Sequence, residues 1–356
     1  MNYYNKYLKY KNKFINLEKK NPSIRIISGS QYSILEDVKV LLKYLPNSTS
    51  RLFEDTPQEK VDINIFIEYP YDTKFIDYAS ENWIIINHER FGNRDEYKEK
   101  DIEMLKKISI ILCKSKVGIE VAKYIRKKYN LKYNIYFTKF TTIFNKINVK
   151  KKWDKIINSS GSSRFKNTDI ILSTWLNNPK LPKIIITCYK KCLDNVAYYI
   201  KYNKLTEIIN NNVKNIYFYN KLIPKDKFEI IKNQYGLHIC TSLSEGFGHY
   251  INEGRIVGSV VLTVDLSPMN ELIDNTSGIL IPCSNIKDKK TGVKKCLFKE
   301  EDLLKGVKKY LNLSTKEKKI LGDNAYKKFK QDHKFFINKM NILLNNYKDK
   351  KKIKFE

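Results

Sequence analysis

The stretch TSLSEGFGHYINEGRIVGSVVLTVDLSPMNELI, residues Thr241 to Ile273, constrains the fold more tightly than any other part of the chain. An apolar run, Leu237 to Cys240, gives way to the small polar residues Thr241 and Ser242, as at the C-terminal end of a buried strand. Two glycines flank Phe247, and a helical pattern then offers Tyr250, Ile251, Ile256 and Val257 as one apolar stripe. A second apolar run, Ser259 to Val264, follows at once. Strand, glycine-rich turn, helix and strand in that order belong to parallel α/β sheets, whose ligands bind beyond the carboxyl ends of the strands.

The turn has chemistry of its own. Gly246 and Gly248 lack a Cβ, so backbone N–H groups there can approach a ligand closely. The helix starting near His249 directs its free N–H groups and positive dipole end at the same place, which suits a phosphate. Glu245 sits in the turn and Glu253 in the helix, with seven residues between them, and Glu253 shares a helix face with His249. Carboxylates beside an anion site are suited to sugar hydroxyls, which donate to them. Spacing alone equally allows a solvated helix carrying two surface glutamates.

The string E-G-F-G followed by Glu253, then G-S-V-V-L-T-V-D and P-M-N-E-L-I, resembles the donor-binding signature of family-4-type retaining glycosyltransferases. The resemblance implies an α/β chain of the GT-B fold, two Rossmann-like domains facing each other across a cleft. By match of position, Glu245 would lie against the donor sugar and Glu253 would hold the nucleotide ribose, with Gly246, Phe247, Gly248 and His249 forming the donor turn. Met269 and Asn270, after Pro268, resemble the family's loop whose backbone N–H groups meet the donor. Upstream, Gly161-Ser162-Ser163-Arg164-Phe165-Lys166-Asn167-Thr168 resembles the turn in which an arginine and a lysine grip the donor diphosphate. Asn220-Lys221-Leu222 resembles the turn that meets the nucleobase, with Asn220 and Leu222 as donor-binding candidates. Departure of a nucleoside diphosphate leaves negative charge that fixed cations can stabilise, and no D-x-D motif stands beside further carboxylates to hold a divalent metal.

The resemblance therefore implies Arg164, Lys166 and Glu245 as catalytic groups, a UDP- or GDP-linked sugar as donor, no cofactor and no metal, and transfer with retention of configuration. A glycan or glycoprotein would be the acceptor, in polysaccharide biosynthesis. A sugar-nucleotide epimerase or glycan phosphorylase on the same architecture, or a non-catalytic basic module binding anionic polymer, stay open as alternatives.

In the first half, strands are expected at Ile24–Ser28, Val61–Glu68, Trp83–Asn87, Ile108–Cys113 and Asn134–Thr138, with helical patterns at Ile34–Leu45 and Lys116–Lys128. The runs I-I-I-N-H-E-R and I-I-L-C-K-S end strands in polar residues, which makes Asn87, His88, Glu89 and Lys114 the acceptor-side candidates. The lysine-rich Asn148–Lys152 separates the halves. The expected organisation is an amphipathic helix over 1–22, an acceptor-side domain over 23–148, a donor-binding domain over 153–330, and a helix over 331–356 returning to the first domain.

Sixty-seven basic against 38 acidic residues give a formal net charge of +29, which admits nucleic acid, an anionic membrane surface or an acidic substrate. The basic residues are dispersed and accompany no recognisable nucleic-acid module, which argues against nucleic acid and leaves weak peripheral association with an anionic membrane open. No segment is apolar and long enough to span a bilayer, and no signal-peptide core opens the chain. Six cysteines without paired metal-ligand spacing are expected to be reduced thiols, in keeping with a cytoplasmic protein. The Tyr- and Lys-rich leader Met1–Lys20 resembles those on many proteins of giant DNA viruses, which implies a viral protein of the host cytoplasm.

Overall fold

The computed structural model describes residues 21–69, 74–92, 97–188, 202–210, 212–287 and 294–349; the leader expected over 1–20 lies outside the described residues. Strands β1 (Ile24–Ser28), β2 (Ser48–Leu52), β3 (Val61–Ile67), β4 (Ala79–Ile86), β5 (Ile110–Cys113) and β6 (Asn134–Phe137) form one sheet in the order β2-β1-β3-β4-β5-β6. Every pairing in it is parallel. Helices α1 (Tyr32–Tyr44), α2 (His88–Phe91), α3 (Glu99–Lys106) and α4 (Lys116–Lys128) connect the strands. The edge strand β2 was not expected from sequence: S-T-S-R-L is polar and mostly exposed, so it lacks the apolar run that marks a buried parallel strand.

The second half repeats the plan. Its strands are β7 (Lys152–Gly161), β8 (Ile184–Cys188), β9 (Ile216–Tyr219), β10 (Tyr235–Cys240), β11 (Val260–Val264) and β12 (Ile279–Ile281). Between them lie α5 (Thr168–Asn177), α6 (Tyr202–Ile209), α7 (Lys225–Gln234), α8 (His249–Ile256) and α9 (Met269–Leu272). The sheet order is β12-β11-β10-β7-β8-β9, again all parallel. Every residue of β11 is buried, as expected of a central strand with helices on both faces. Connections leave β7 and β10, which are neighbours, in opposite directions across the sheet. Such a switch point opens a crevice at the strands' carboxyl ends, and the turns after β7 and β10 are the two that carry the donor-site candidates.

A hairpin, β13 (Ser284–Lys287) with β14 (Lys294–Leu297), and helices α10 (Glu300–Asn312) and α11 (Thr315–Lys348) complete the described chain. Antiparallel pairing of the hairpin sets Asn285 opposite Cys296 and so brings Cys283 beside Cys296, which are joined as a disulfide with Cα atoms 5.6 Å apart. The expectation of six reduced thiols is corrected here: Cys188 is disulfide-bonded as well, whereas Cys113 and Cys240 are free and buried. Cys192 lies outside the described residues. Among the described residues no helix is long and apolar enough to cross a membrane.

The helix α11 ties the halves together. A capping box starts it, Ser314 Oγ accepting from the Glu317 N–H at 3.2 Å while Glu317 accepts from the Ser314 N–H at 2.7 Å. Sequence patterning suggests two helices here, 315–330 and 333–346, yet the structure has one of 34 residues, about 50 Å long at 1.5 Å per residue. Its continuity follows from Asp332, which Arg255 engages from α8 and Lys139 from the first half, so that the charge at the apparent break is neutralised. Further along, Phe336 packs edge-on against Phe140 (5.1 Å between centroids) and Tyr347 against Trp83 of β4 (6.5 Å). One apolar core therefore runs through both halves, with α11 as its spine.

Backbone meets backbone where α11 leaves the second half. A Cβ on Gly322 would lie 2.1 Å from the carbonyl oxygen of Gly258, which itself adopts φ +70°. The Gly322→Ala variant is expected to lose about 1–3 kcal/mol of stability by overpacking, measured by urea denaturation with the midpoint falling at unchanged slope.

Candidate active site

Two turns from the second sheet are locked face to face. The turn after β7 begins at Gly161, which adopts φ +58°, and continues through the exposed Ser162 into a short 3-10 helix, Arg164–Lys166. Ser163 caps that helix by accepting from the Phe165 N–H at 3.3 Å. The turn after β10 runs from Thr241 to Gly248. The Leu243 N–H donates to the Phe165 carbonyl at 2.8 Å, and the Asn167 side chain donates to the Thr241 carbonyl at 3.2 Å. With the two backbones fixed, Lys166 donates to Glu245 in an ion pair and lies 3.4 Å from the centroid of the Tyr250 ring. Ser242 Oγ donates to the same Glu245 oxygen at 2.6 Å and contacts the Tyr250 hydroxyl at 2.5 Å. The side chain of Arg164 lies outside the described residues.

Gly248 adopts φ +94° as the N-cap of α8, a conformation that side chains rarely take, and so lets the chain turn straight into the helix. Glu253, one turn inside α8, pairs with Lys232 of α7 at 2.8 Å. The remaining donor-site candidates are spread along the rim. Met269 is fully buried at the start of α9, and the Asn270 amide donates to Asp265 at 2.9 Å. Asn220 and Leu222 follow the edge strand β9, two strands from β7, and Leu222 is 78% exposed.

The first half meets this site directly. Lys114, buried at the end of β5, donates to Asn87 Oδ1 at 2.8 Å and forms an ion pair with Asp37 of α1. Asn87 in turn donates to Glu68, whose φ of +70° turns the chain just beyond β3. Asn87 also packs on the donor turn so closely that a Cβ on Gly246 would lie 2.6 Å from it. Both ring nitrogens of His249 are engaged within the protein, Nε2 with Asp37 at 2.8 Å and Nδ1 with Thr142 at 2.9 Å. Phe247 lies edge-on to Phe140 of the first half, with ring centroids 5.3 Å apart. Asn87, Glu89 and Lys114 thus gather on one side, facing Gly246, Ser244 and Phe247 of the donor turn.

Electrostatics separate these groups. Desolvation pushes Asp37 up, but Lys114 and His249 together hold it below the ordinary carboxylate range. His88 is buried, and desolvation with Lys114 nearby lowers it to about 4, so its ring is neutral at pH 7. No partner among the described residues reaches its Nδ1. Glu89 goes the other way: desolvation first, then the Glu245 charge, raise it to about 7 although Ser244 donates to it at 2.9 Å. A carboxyl that ionises near neutrality, facing a second carboxyl from the other half, is where acid and base roles can be divided.

Sequence reading overlooked Asp37, Glu68 and Lys232. For Asp37 a signal existed: it falls on the same helical stripe as the buried Ile34, Val38 and Leu41, where a charge is out of place. Lys232 likewise lies on α7 one turn beyond Phe228 and is fully buried. Glu68 carried the same signal as Asn87 and Lys114, a polar residue ending an apolar run.

No protein-family model matches the sequence, and no curated protein sequence does. Solved structures match in fold. HepE of Anabaena in complex with UDP superposes with a TM-score of 0.64 at 11% identity, covering 91% of this chain and 100% of that one. The pneumococcal O-GlcNAc transferase GtfA in complex with UDP and GlcNAc gives 0.56 at 15% identity over 80% of this chain, which spans only 57% of that protein. A trehalose-6-phosphate synthase studied for glycosyl transfer with retention gives 0.56 at 11% identity, covering 84% and 76%.

Glu89 should be visible in the pH dependence of stability. Its folded pKa is raised, so the proton it holds favours the folded state fully below the ordinary carboxylate pKa, and this contribution is lost as pH rises towards about 7. Glu89→Gln is expected to be more stable than the parent at pH 8 by on the order of 1–3 kcal/mol. The gap should close below about pH 4.5, read from thermal or urea midpoints across that range.

With two parallel six-stranded sheets, switch-point turns facing a second Rossmann-like half and these structural neighbours, the chain has the GT-B fold of glycosyltransferases.

Proposed function

We propose that the chain transfers a sugar from a nucleoside-diphosphate donor to a glycan or glycoprotein hydroxyl with retention of configuration. One observation carries the reading: Lys166 and Glu245 are brought together at the switch point of the second sheet, facing Asn87 and Glu89 of the first. The fold neighbours whose structures hold UDP or a UDP-sugar support the choice of donor class, and the synthase described as acting with retention supports the stereochemistry.

The donor diphosphate would lie against the turn after β7, where Lys166 and Arg164 supply positive charge and the amides after Gly161 supply donors. An arriving phosphate competes with Glu245 for the Lys166 ammonium and frees that carboxylate to accept from sugar hydroxyls. Glu253 accepts from the ribose. The acceptor enters from the side of His88 and Glu89. The bond from the sugar's anomeric carbon to the phosphate oxygen breaks while a bond to the acceptor oxygen forms on the same face. The acceptor proton passes to the departing phosphate oxygen, so fixed cations suffice without a separate metal.

Incubation with a panel of UDP- and GDP-linked sugars should release nucleoside diphosphate slowly with water and faster with the true acceptor, and product NMR should show the donor's anomeric configuration kept. No release with any donor would overturn the proposal. Lys166→Ala is expected to lower turnover roughly 10²- to 10³-fold, the size of losing one preorganised electrostatic partner. Glu253→Ala should weaken donor binding by about 1.5–3 kcal/mol, as for a hydrogen bond to a charged group, measured by calorimetry.

A further inference from the structure

We infer that Lys232 is a positioning residue that fixes the Glu253 carboxylate for the nucleotide ribose. The inference rests on the reading of Glu253 as the ribose acceptor. Most of the chain's many lysines can be solvated, and a lysine is almost never fully buried without a partner. Lys232 is fully buried, at 0% exposure. Its ammonium sits 2.8 Å from Glu253 Oε2, donates to Ser159 Oγ at 2.9 Å and lies 5.5 Å from the centroid of the Phe228 ring.

These contacts join three elements of the site. Ser159 belongs to β7, two residues before the Gly161 turn; Lys232 ends α7, just ahead of β10 and its Glu245 turn; Glu253 belongs to α8. A single charge therefore sets the distance between the diphosphate turn and the ribose carboxylate. It also explains how Glu253 can be held in place while 21% of its side chain stays exposed: Oε2 is gripped from the protein side, which leaves Oε1 for a ligand. Take the ammonium away, and the carboxylate loses its counter-charge, and so turns to solvent or binds a proton. Either change removes it as a fixed acceptor without touching the diphosphate contacts.

The test compares affinities for UDP and GDP, each against its 2′,3′-dideoxy form, in the full chain and in the variants Lys232→Met, Glu253→Ala and the double variant. The parent should prefer the ribose form by about 10- to 100-fold, the worth of hydrogen bonds to a charged group. In Lys232→Met that preference should fall to near unity while affinity for the dideoxy form is unchanged; Glu253→Ala should do the same, and the double variant should lose nothing more. If Lys232→Met keeps the parental preference, or loses affinity for both forms equally, the positioning role is overturned while the ribose reading stands on Glu253→Ala. If Glu253→Ala keeps the preference, the ribose reading falls and this inference with it. Absence of binding by the parent to either nucleotide overturns both. Should Lys232→Met fail to fold, Ser159→Ala, which loosens the ammonium without removing it, should lower the preference in part; an unchanged preference there overturns the role.

Discussion

A buried carboxylate, Asp37, organises the junction between the halves. Ionised and almost without exposure, it would be prohibitive alone, and it is offset by Lys114 from its own sheet and by His249 from the first residue of the donor helix. The second partner belongs to the other half, so the charge is fully satisfied only when the halves meet in this register. Lys114 extends the same network to Asn87, and Asn87 rests on Gly246, whose missing side chain makes room for it. The position of the donor turn relative to the first half is thus set by these desolvated polar contacts together with the packing of Phe247 on Phe140.

Apolar packing supplies the framework that those contacts need. Phe140, Phe247 and Phe336 meet edge to face where the segment after β6, the donor turn and α11 converge. The long helix then reaches back to Trp83 in the first sheet. Asp332 on that helix is held by Arg255 and Lys139, one from each half. Separating the halves would break several of these charged contacts at once.

Much of the fold was legible in the residues. Parallel strands buried on both faces are short apolar runs, and β1, β5 and β11 declare themselves that way; α4 is legible as the helical pattern Lys116–Lys128. The edge strand β2 and the hairpin β13–β14 were not legible, because S-T-S-R-L, S-N-I-K and K-K-C-L carry no such apolar run. The split of α11 into two helices was misread at Lys330–His333, since a cluster of charges looks like a boundary until its partners are known.

What the sequence determined by itself is the local chemistry of the second half: a glycine-rich turn before a helix, two glutamates seven residues apart, and basic residues in the turn after β7. These depend on neighbours in the chain, and short-range spacing carries them. Only the tertiary structure decided which of those groups touch. It paired Lys166 with Glu245 and Lys232 with Glu253, turned both nitrogens of His249 towards the first half, and set Glu89 against the Glu245 charge. Each of these contacts joins residues distant in the chain, and its strength comes from desolvation, which exists only once the sheets and helices have closed around it.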